Sequence, residues 1–366
     1  MKKTRIILAL ILVFAIAMTG CGKKEENEGG NLSNTGFNYS QGIDANGFWE
    51  GVKASDYTEL PDYMGLEIPA SEVTATEEDI DSAVNSILEG YLENVDVYDR
   101  PAENFDTVSI GYIGRMDGKE FAGGTGTKDD LVLGTGTFID GFEDGIIGHT
   151  PGETFMLDLK FPEEYGNKDL NGKDVQFEVT LNSIKESVLP ELTDDFVADT
   201  LSESYNGVKT VEELKAEVAE NLKTANVMDY ISDYLGTVTV TDIPESMIEY
   251  QKGSMKAYYE EYAAMYGIEL SELLTAMGMD SDIEAVIEEY KDQLTDNAKY
   301  YLVLQAIAEK ENISVSDEDV KNYFLDNTGE EDYSRYEEYF GMGYVKCMIL
   351  GNKVLEAISD NAVITE

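Results

Sequence analysis

The chain has 366 residues, with 26 Lys and Arg against 74 Asp and Glu and a formal net charge of −48. That length exceeds one ordinary core and predicts two or three domains, while so acidic a surface repels phosphate backbones and excludes nucleic acid as an expected partner. A single histidine, His149, rules out a Ser-His-Asp hydrolase and a His-rich zinc site, and two cysteines build no disulfide framework, so neither metal nor cofactor is expected.

Three cationic side chains in Met1–Arg5 precede the apolar run Ile6–Met18, which has the length of a signal-peptide core and is short for a membrane span. Met18-Thr19-Gly20-Cys21 has the form of a bacterial lipobox, in which the cysteine is acylated and becomes the new N-terminus. The expectation is a lipoprotein signal peptide over 1–20 and lipidation at Cys21, with the chain anchored to a bacterial cell membrane on its extracytoplasmic side. Gly, Asn, Ser, Lys and Glu dominate the next stretch, so residues 21–55 read as a flexible tether, with Phe48 and Trp49 the first residues to dock on the folded body.

A linker over 56–100 carries a helix from Thr76 to Val95 and is expected to pack on a helical domain. Thr76 is its N-cap, Glu77, Glu78 and Asp79 fill its first turn, and Ile80, Val84, Ile87, Leu88, Tyr91 and Leu92 form its apolar face. Strand-like runs follow at Thr107–Ile113, Leu131–Leu133, Phe155–Phe161 and Val175–Ile184, cut by Gly-rich turns, and define a small β-domain over 101–187. From 188 to 366 the period becomes helical. Expected helices are Val211–Leu235 behind a Thr210/Glu213 capping box, Glu245–Tyr266 after Pro244 and closed by Gly267, Asp282–Lys310, Asp317–Asp326 after Ser316, and Tyr333–Asn361. Cys347 falls in an apolar helical run and reads as a buried, inert thiol. Tyr and Met at helical spacing read mainly as core, with an exposed share forming an adaptable apolar surface.

Familiar catalytic patterns fail along the β-domain. The glycines from Gly123 to Gly136 lack the Gly-Lys-Ser/Thr ending of a phosphate loop, and Asp169-Leu170-Asn171-Gly172 opens like a calcium loop but lacks the later ligands. The positive signal is apolar: Tyr112, Phe121, Phe138, Ile139, Phe142, Tyr165 and Phe177 stand in or beside turns and strands, where together they could line a concave pocket.

Several motifs then occur in order: Tyr98-Asp99-Arg100-Pro101, Ile110-Gly111-Tyr112-Ile113-Gly114, Asp117-Gly118-Lys119-Glu120-Phe121, Leu131-Val132-Leu133-Gly134, Ile139-Asp140-Gly141-Phe142-Glu143, Gly148-His149, Phe161-Pro162-Glu163-Glu164-Tyr165 and Leu170-Asn171-Gly172-Lys173. This run resembles the FKBP-type peptidyl-prolyl isomerase domain in the version carried by trigger factor. Leu189-Pro190-Glu191-Leu192, Ile243-Pro244-Glu245 and Ile307-Ala308-Glu309-Lys310 are similar to landmarks of the trigger factor C-terminal chaperone domain. Tyr63-Met64-Gly65-Leu66 and the following helix resemble the segment that links head and isomerase domain, whereas nothing before Asp56 resembles the ribosome-docking head.

The resemblance implies an α+β multidomain fold: an FKBP-like antiparallel sheet wrapped on a short helix, plus an extended all-α chaperone domain. It implies a pocket lined by Tyr112, Phe121, Phe138, Ile139, Phe142, Tyr165 and Phe177. Phe142 matches the floor aromatic, the Ile139 N–H the donor to the substrate carbonyl, and the Tyr165 hydroxyl a donor on the far loop. A carboxylate commonly follows the Phe121 position in the family; here it is Ala122, which removes a polar pocket edge. The expected function is a membrane-anchored extracytoplasmic peptidyl-prolyl cis-trans isomerase and chaperone acting on unfolded exported polypeptides with X-Pro bonds, with the ribosome not a partner. A non-catalytic holdase that uses the FKBP fold as a peptide-docking platform is the alternative. A solute-binding lipoprotein is a third reading, opposed by the lack of alternating strand-helix units.

Overall fold

The computed structural model describes residues 36–366, so the signal segment, Cys21 and the first part of the expected tether lie outside the described residues. The chain divides into two compact units, one made of residues up to Thr74 together with Asn221–Glu366, the other of Ala75–Glu220.

The Ala75–Glu220 unit opens with α1, Glu77–Glu89. Its start is written locally: the Thr76 side chain accepts from the Asp79 N–H while the Asp79 carboxylate accepts from the Thr76 N–H. The helix was expected to reach Val95 but stops at Glu89, because Glu93–Val97 pairs as a strand, β1, with the last strand of the sheet. The other strands are β2, Thr107–Met116; β3, Lys119–Val132; β4, Thr154–Lys160; and β5, Asp174–Val188. All pair antiparallel. In the order β1-β5-β2-β3, the long β5 is central, and β4 pairs with the half of β5 that β1 leaves open.

Alternation in β5 buries Val175, Phe177, Val179 and Leu181 on one face. They join Val108, Ile110, Leu131, Leu133, Phe142 and Ile146 in one core. The expected strand at Leu131–Leu133 starts much earlier, at Lys119. Gly123 and Gly124 weaken the local signal, but pairing with β2, including Ile113 with Thr125, keeps the backbone extended. Where a short helix is implied, residues Ile139–His149 form successive helical turns, with the Gly145 N–H bonded to the Gly141 carbonyl.

Residues Asp194–Phe196, Val197–Leu201 and the first part of α2, Val211–Gly236, complete this unit and bury Val197, Leu201, Leu214 and Val218. Asp81 of α1 pairs with Lys215 of this segment, and Tyr91, just past the helix end, stands edge-on to Phe196 at 5.8 Å. The β-rich unit therefore extends to Glu220, past the expected boundary at 187.

The other unit comprises the rest of α2 with α3 (Glu245–Tyr266), α4 (Leu270–Ala276), α5 (Ile283–Glu289), α6 (Lys291–Glu311), α7 (Asp317–Thr328), α8 (Ser334–Phe340) and α9 (Met342–Ser359). In α6, Leu302 through Ala308 are buried without a break, as befits a helix enclosed on every side. Two expected helices are each split. Asp282–Lys310 breaks at Tyr290, and Tyr333–Asn361 breaks at Gly341, whose φ of 77° and ψ of 150° are not helical. A Cβ at Gly341 would clash with Ser40 Oγ, so the glycine leaves room there for the N-terminal segment.

That segment corrects the tether over 21–55: from Phe37 onward it is part of the helical core. Tyr39, Ile43 and Trp49 are buried with Tyr250, Phe340 and Tyr344. Tyr39 lies 5.2 Å from Phe340, and Trp49 stands edge-on to Tyr250 at 4.9 Å. Ser40 donates to the Phe340 carbonyl and accepts from the Tyr344 N–H, and the Trp49 N–H donates to Gln305. A polar, Gly-rich composition reads as tether, but partners hundreds of residues away give these few aromatics a buried surface large enough to offset ordering.

Candidate active site

The site is built on the Gly-rich stretch between β3 and β4. Gly134 and Gly136 take φ values of 84° and 72°, which turn the chain back over the sheet. Glu143, 5% exposed, points its carboxylate into that turn. It accepts from the backbone N–H groups of Gly136 (2.8 Å), Thr137 (2.7 Å) and Phe138 (3.1 Å) and from the Thr137 hydroxyl (2.8 Å). Burial alone would push this carboxyl up; the donors outweigh it and hold it below the usual carboxylate range. An ionised anchor thus fixes the loop that presents Phe138 and Ile139.

All seven expected side chains fall in one unit, and the six aromatics among them, with Phe161, form an unbroken series of ring contacts. Phe138 stacks on Phe142, with centroids 4.4 Å apart and planes within 13°. Tyr112 from β2 stands edge-on to both, at 5.7 and 6.0 Å. Phe177 from β5 meets Phe142 at 5.2 Å and at right angles, and Phe121 from β3 continues the series 6.4 Å from Phe177. Phe161 then links Phe121, at 5.9 Å, to Tyr165, at 4.7 Å. Phe161 was not among the expected site residues, although it opens the quoted Phe161–Tyr165 motif. It is buried, and in the sequence it stands only as the end of the strand-like run Phe155–Phe161.

Close glycines give these rings their space. A Cβ at Gly114 would come within 2.7 Å of Phe177 and 2.8 Å of Phe121, and one at Gly124 within 2.6 Å of Phe121. Ile139 is buried and joins the same core, and its N–H has no acceptor among the described residues. Tyr165 is 47% exposed, and its hydroxyl likewise lacks a partner among the described residues. Ala122 is exposed beside Phe121. His149 serves the turn that follows: its ring lies parallel to Phe155 at 3.6 Å, Nδ1 lies 2.6 Å from Glu153, and its carbonyl accepts from the Ala102 N–H.

An aromatic surface edged by a free backbone N–H and a free hydroxyl suits an apolar ring next to an amide carbonyl. Residues 98–182 match the family model described as FKBP-type peptidyl-prolyl cis-trans isomerase, and residues 208–359 match that of the bacterial trigger factor protein C-terminus. Fold and site thus define an α+β multidomain protein with an FKBP-type domain and a helical trigger factor-type domain. Trigger factor of Acetivibrio thermocellus is 32% identical over 329 residues, covering 87% of this chain and 75% of that one. The Ruminiclostridium cellulolyticum protein is 32% identical with coverage of 85% and 74%, and that of Halothermothrix orenii 34% with 74% and 63%. The chain belongs to the trigger factor family.

Proposed function

We propose that the chain is a membrane-anchored, extracytoplasmic peptidyl-prolyl cis-trans isomerase and chaperone that assists the folding of exported proteins. The carrying observation is the contiguous aromatic cluster from Tyr112 to Tyr165 with the unpartnered Ile139 N–H at its edge.

An X-Pro amide rotates over a barrier of about 18–20 kcal/mol because twisting breaks its resonance. The rings of Tyr112, Phe142 and Phe177 take the proline ring, Phe121 and Tyr165 flank it, and the Ile139 N–H receives the carbonyl of the preceding residue. A dry aromatic surface favours the less polar twisted amide over the planar one, so no proton transfer or covalent step is required. The helical unit holds unfolded clients on apolar surface such as Met265, Tyr266 and Met277, all exposed.

The anchor is supported by the apolar run Ile6–Met18 and the Met18–Cys21 lipobox. Expressed in a bacterium, the wild-type chain should partition with membranes and Cys21→Ser with the soluble fraction; identical partition overturns the anchor. Catalysis is tested by refolding of a proline-limited substrate, where micromolar protein should accelerate the slow phase and Phe142→Ala should weaken it. No acceleration beside an active control overturns the enzymatic reading.

One observation favours the second reading, a holdase that uses the FKBP fold only to dock peptides: Phe142 is wholly buried beneath its neighbours. That reading predicts suppression of client aggregation unchanged by pocket substitutions.

A further inference from the structure

Phe142 has no exposed surface, yet the isomerase reading needs its ring to meet a proline. Two of its ring neighbours are fixed in the sheet: Phe177, buried in the central strand β5, and Tyr112, in β2. The third is different. Phe138 lies on the loop between β3 and the helical turns, is only half-buried, and covers the Phe142 ring face to face at 4.4 Å.

We infer that Phe138 is a gate for the pocket: its ring occupies the place over Phe142 that a prolyl ring takes, and it must turn away before substrate seats. The inference rests on the isomerase reading of this site and makes Phe138 the residue that sets substrate affinity. The backbone beneath need not move, because the Glu143 carboxylate holds the N–H groups of Gly136, Thr137 and Phe138. Opening is then a rotation of the Phe138 side chain about its own bonds, with the neighbouring Ile139 N–H kept in place. A stack of this geometry biases the closed rotamer by roughly three- to tenfold, and a ligand that binds only the open form binds more weakly by that factor.

Gate and plain lining residue predict opposite signs. The full chain is titrated against a dye-labelled peptide with a central Leu-Pro bond, using wild type, Phe138→Ala and Phe138→Leu, and KM and kcat are measured on the same peptide. A gate gives about three- to tenfold tighter binding for Phe138→Ala and a matching fall in KM. A lining residue gives weaker binding, because apolar contact is lost. Unchanged or weaker binding in the variants overturns the gate. Should Phe138→Ala fail to fold by circular dichroism, Phe138→Leu carries the test, since it keeps apolar volume and loses the stack. Tighter binding by the variants without catalysis by any form supports the gate and overturns the isomerase reading instead.

Discussion

The Tyr250 hydroxyl donates a 2.6 Å hydrogen bond to the backbone carbonyl of Tyr39, a residue 211 positions earlier in the chain. Both residues are buried, so this bond ties the N-terminal segment into α3. Tyr250→Phe keeps the packing and leaves that carbonyl unsatisfied, which should cost about 1–3 kcal/mol. The sole tryptophan, Trp49, is buried in the same core, so its fluorescence in a urea titration reads this unit directly. An unchanged midpoint would show that the bond contributes nothing.

Gly47 bears on the same joint. Its φ is 87°, and a Cβ there would fall 2.6 Å from the Cys347 backbone nitrogen. Burial pushes the Cys347 thiol up to about 12, with Asp44 adding to the shift, so it should resist alkylation in the native protein and react only on opening. Gly47→Ala should speed alkylation of Cys347, followed by mass spectrometry, and lower stability by at least about 1 kcal/mol.

Tyr165→Phe should separate activity from stability. The hydroxyl has no partner among the described residues, so its loss should shift stability by no more than about 0.5 kcal/mol. If that hydroxyl bonds substrate, proline-limited refolding should slow about two- to tenfold. Full activity in a fully folded variant would remove Tyr165 from the site.

Glu143 supplies a pH test. Its carboxyl is held below the ordinary value when folded, so it contributes stability above the unfolded value, and that contribution is lost as pH falls through the folded value. Glu143→Gln should lower stability by about 1–3 kcal/mol at neutral pH. The gap between variant and wild type should narrow as the pH is taken from neutral to below the ordinary carboxylate range, where the folded protein in turn loses the charge. Thermal melts at both pH values check this; an equal gap at both would mean that the charge is not what holds the loop.

Much of the fold was legible because its signals are local. Thr76 with Asp79, and Ser316 with Asp319, form the caps their side chains can reach without help from elsewhere. Gly267 ends α3 in the left-handed conformation that glycine favours. The alternating Val175, Phe177, Val179 and Leu181 announced a strand with one buried face. The six expected aromatics do fall in one series of ring contacts with Phe161, although the order of those contacts is not written in their spacing.

By itself, the sequence determined the capped helix starts and the β-rich middle, since each depends on side chains within a few positions of one another. Only the tertiary structure decided the length of β3 through Gly123 and Gly124, the break at Gly341, the docking of the chain from Phe37 onward, ahead of the expected Phe48 and Trp49, and the stacking of Phe138 over Phe142. The first is settled by pairing across a hairpin with β2 and the third by partners hundreds of residues away, while at the break only glycine leaves room for Ser40. The stack is a rotamer choice, which no spacing of residues records.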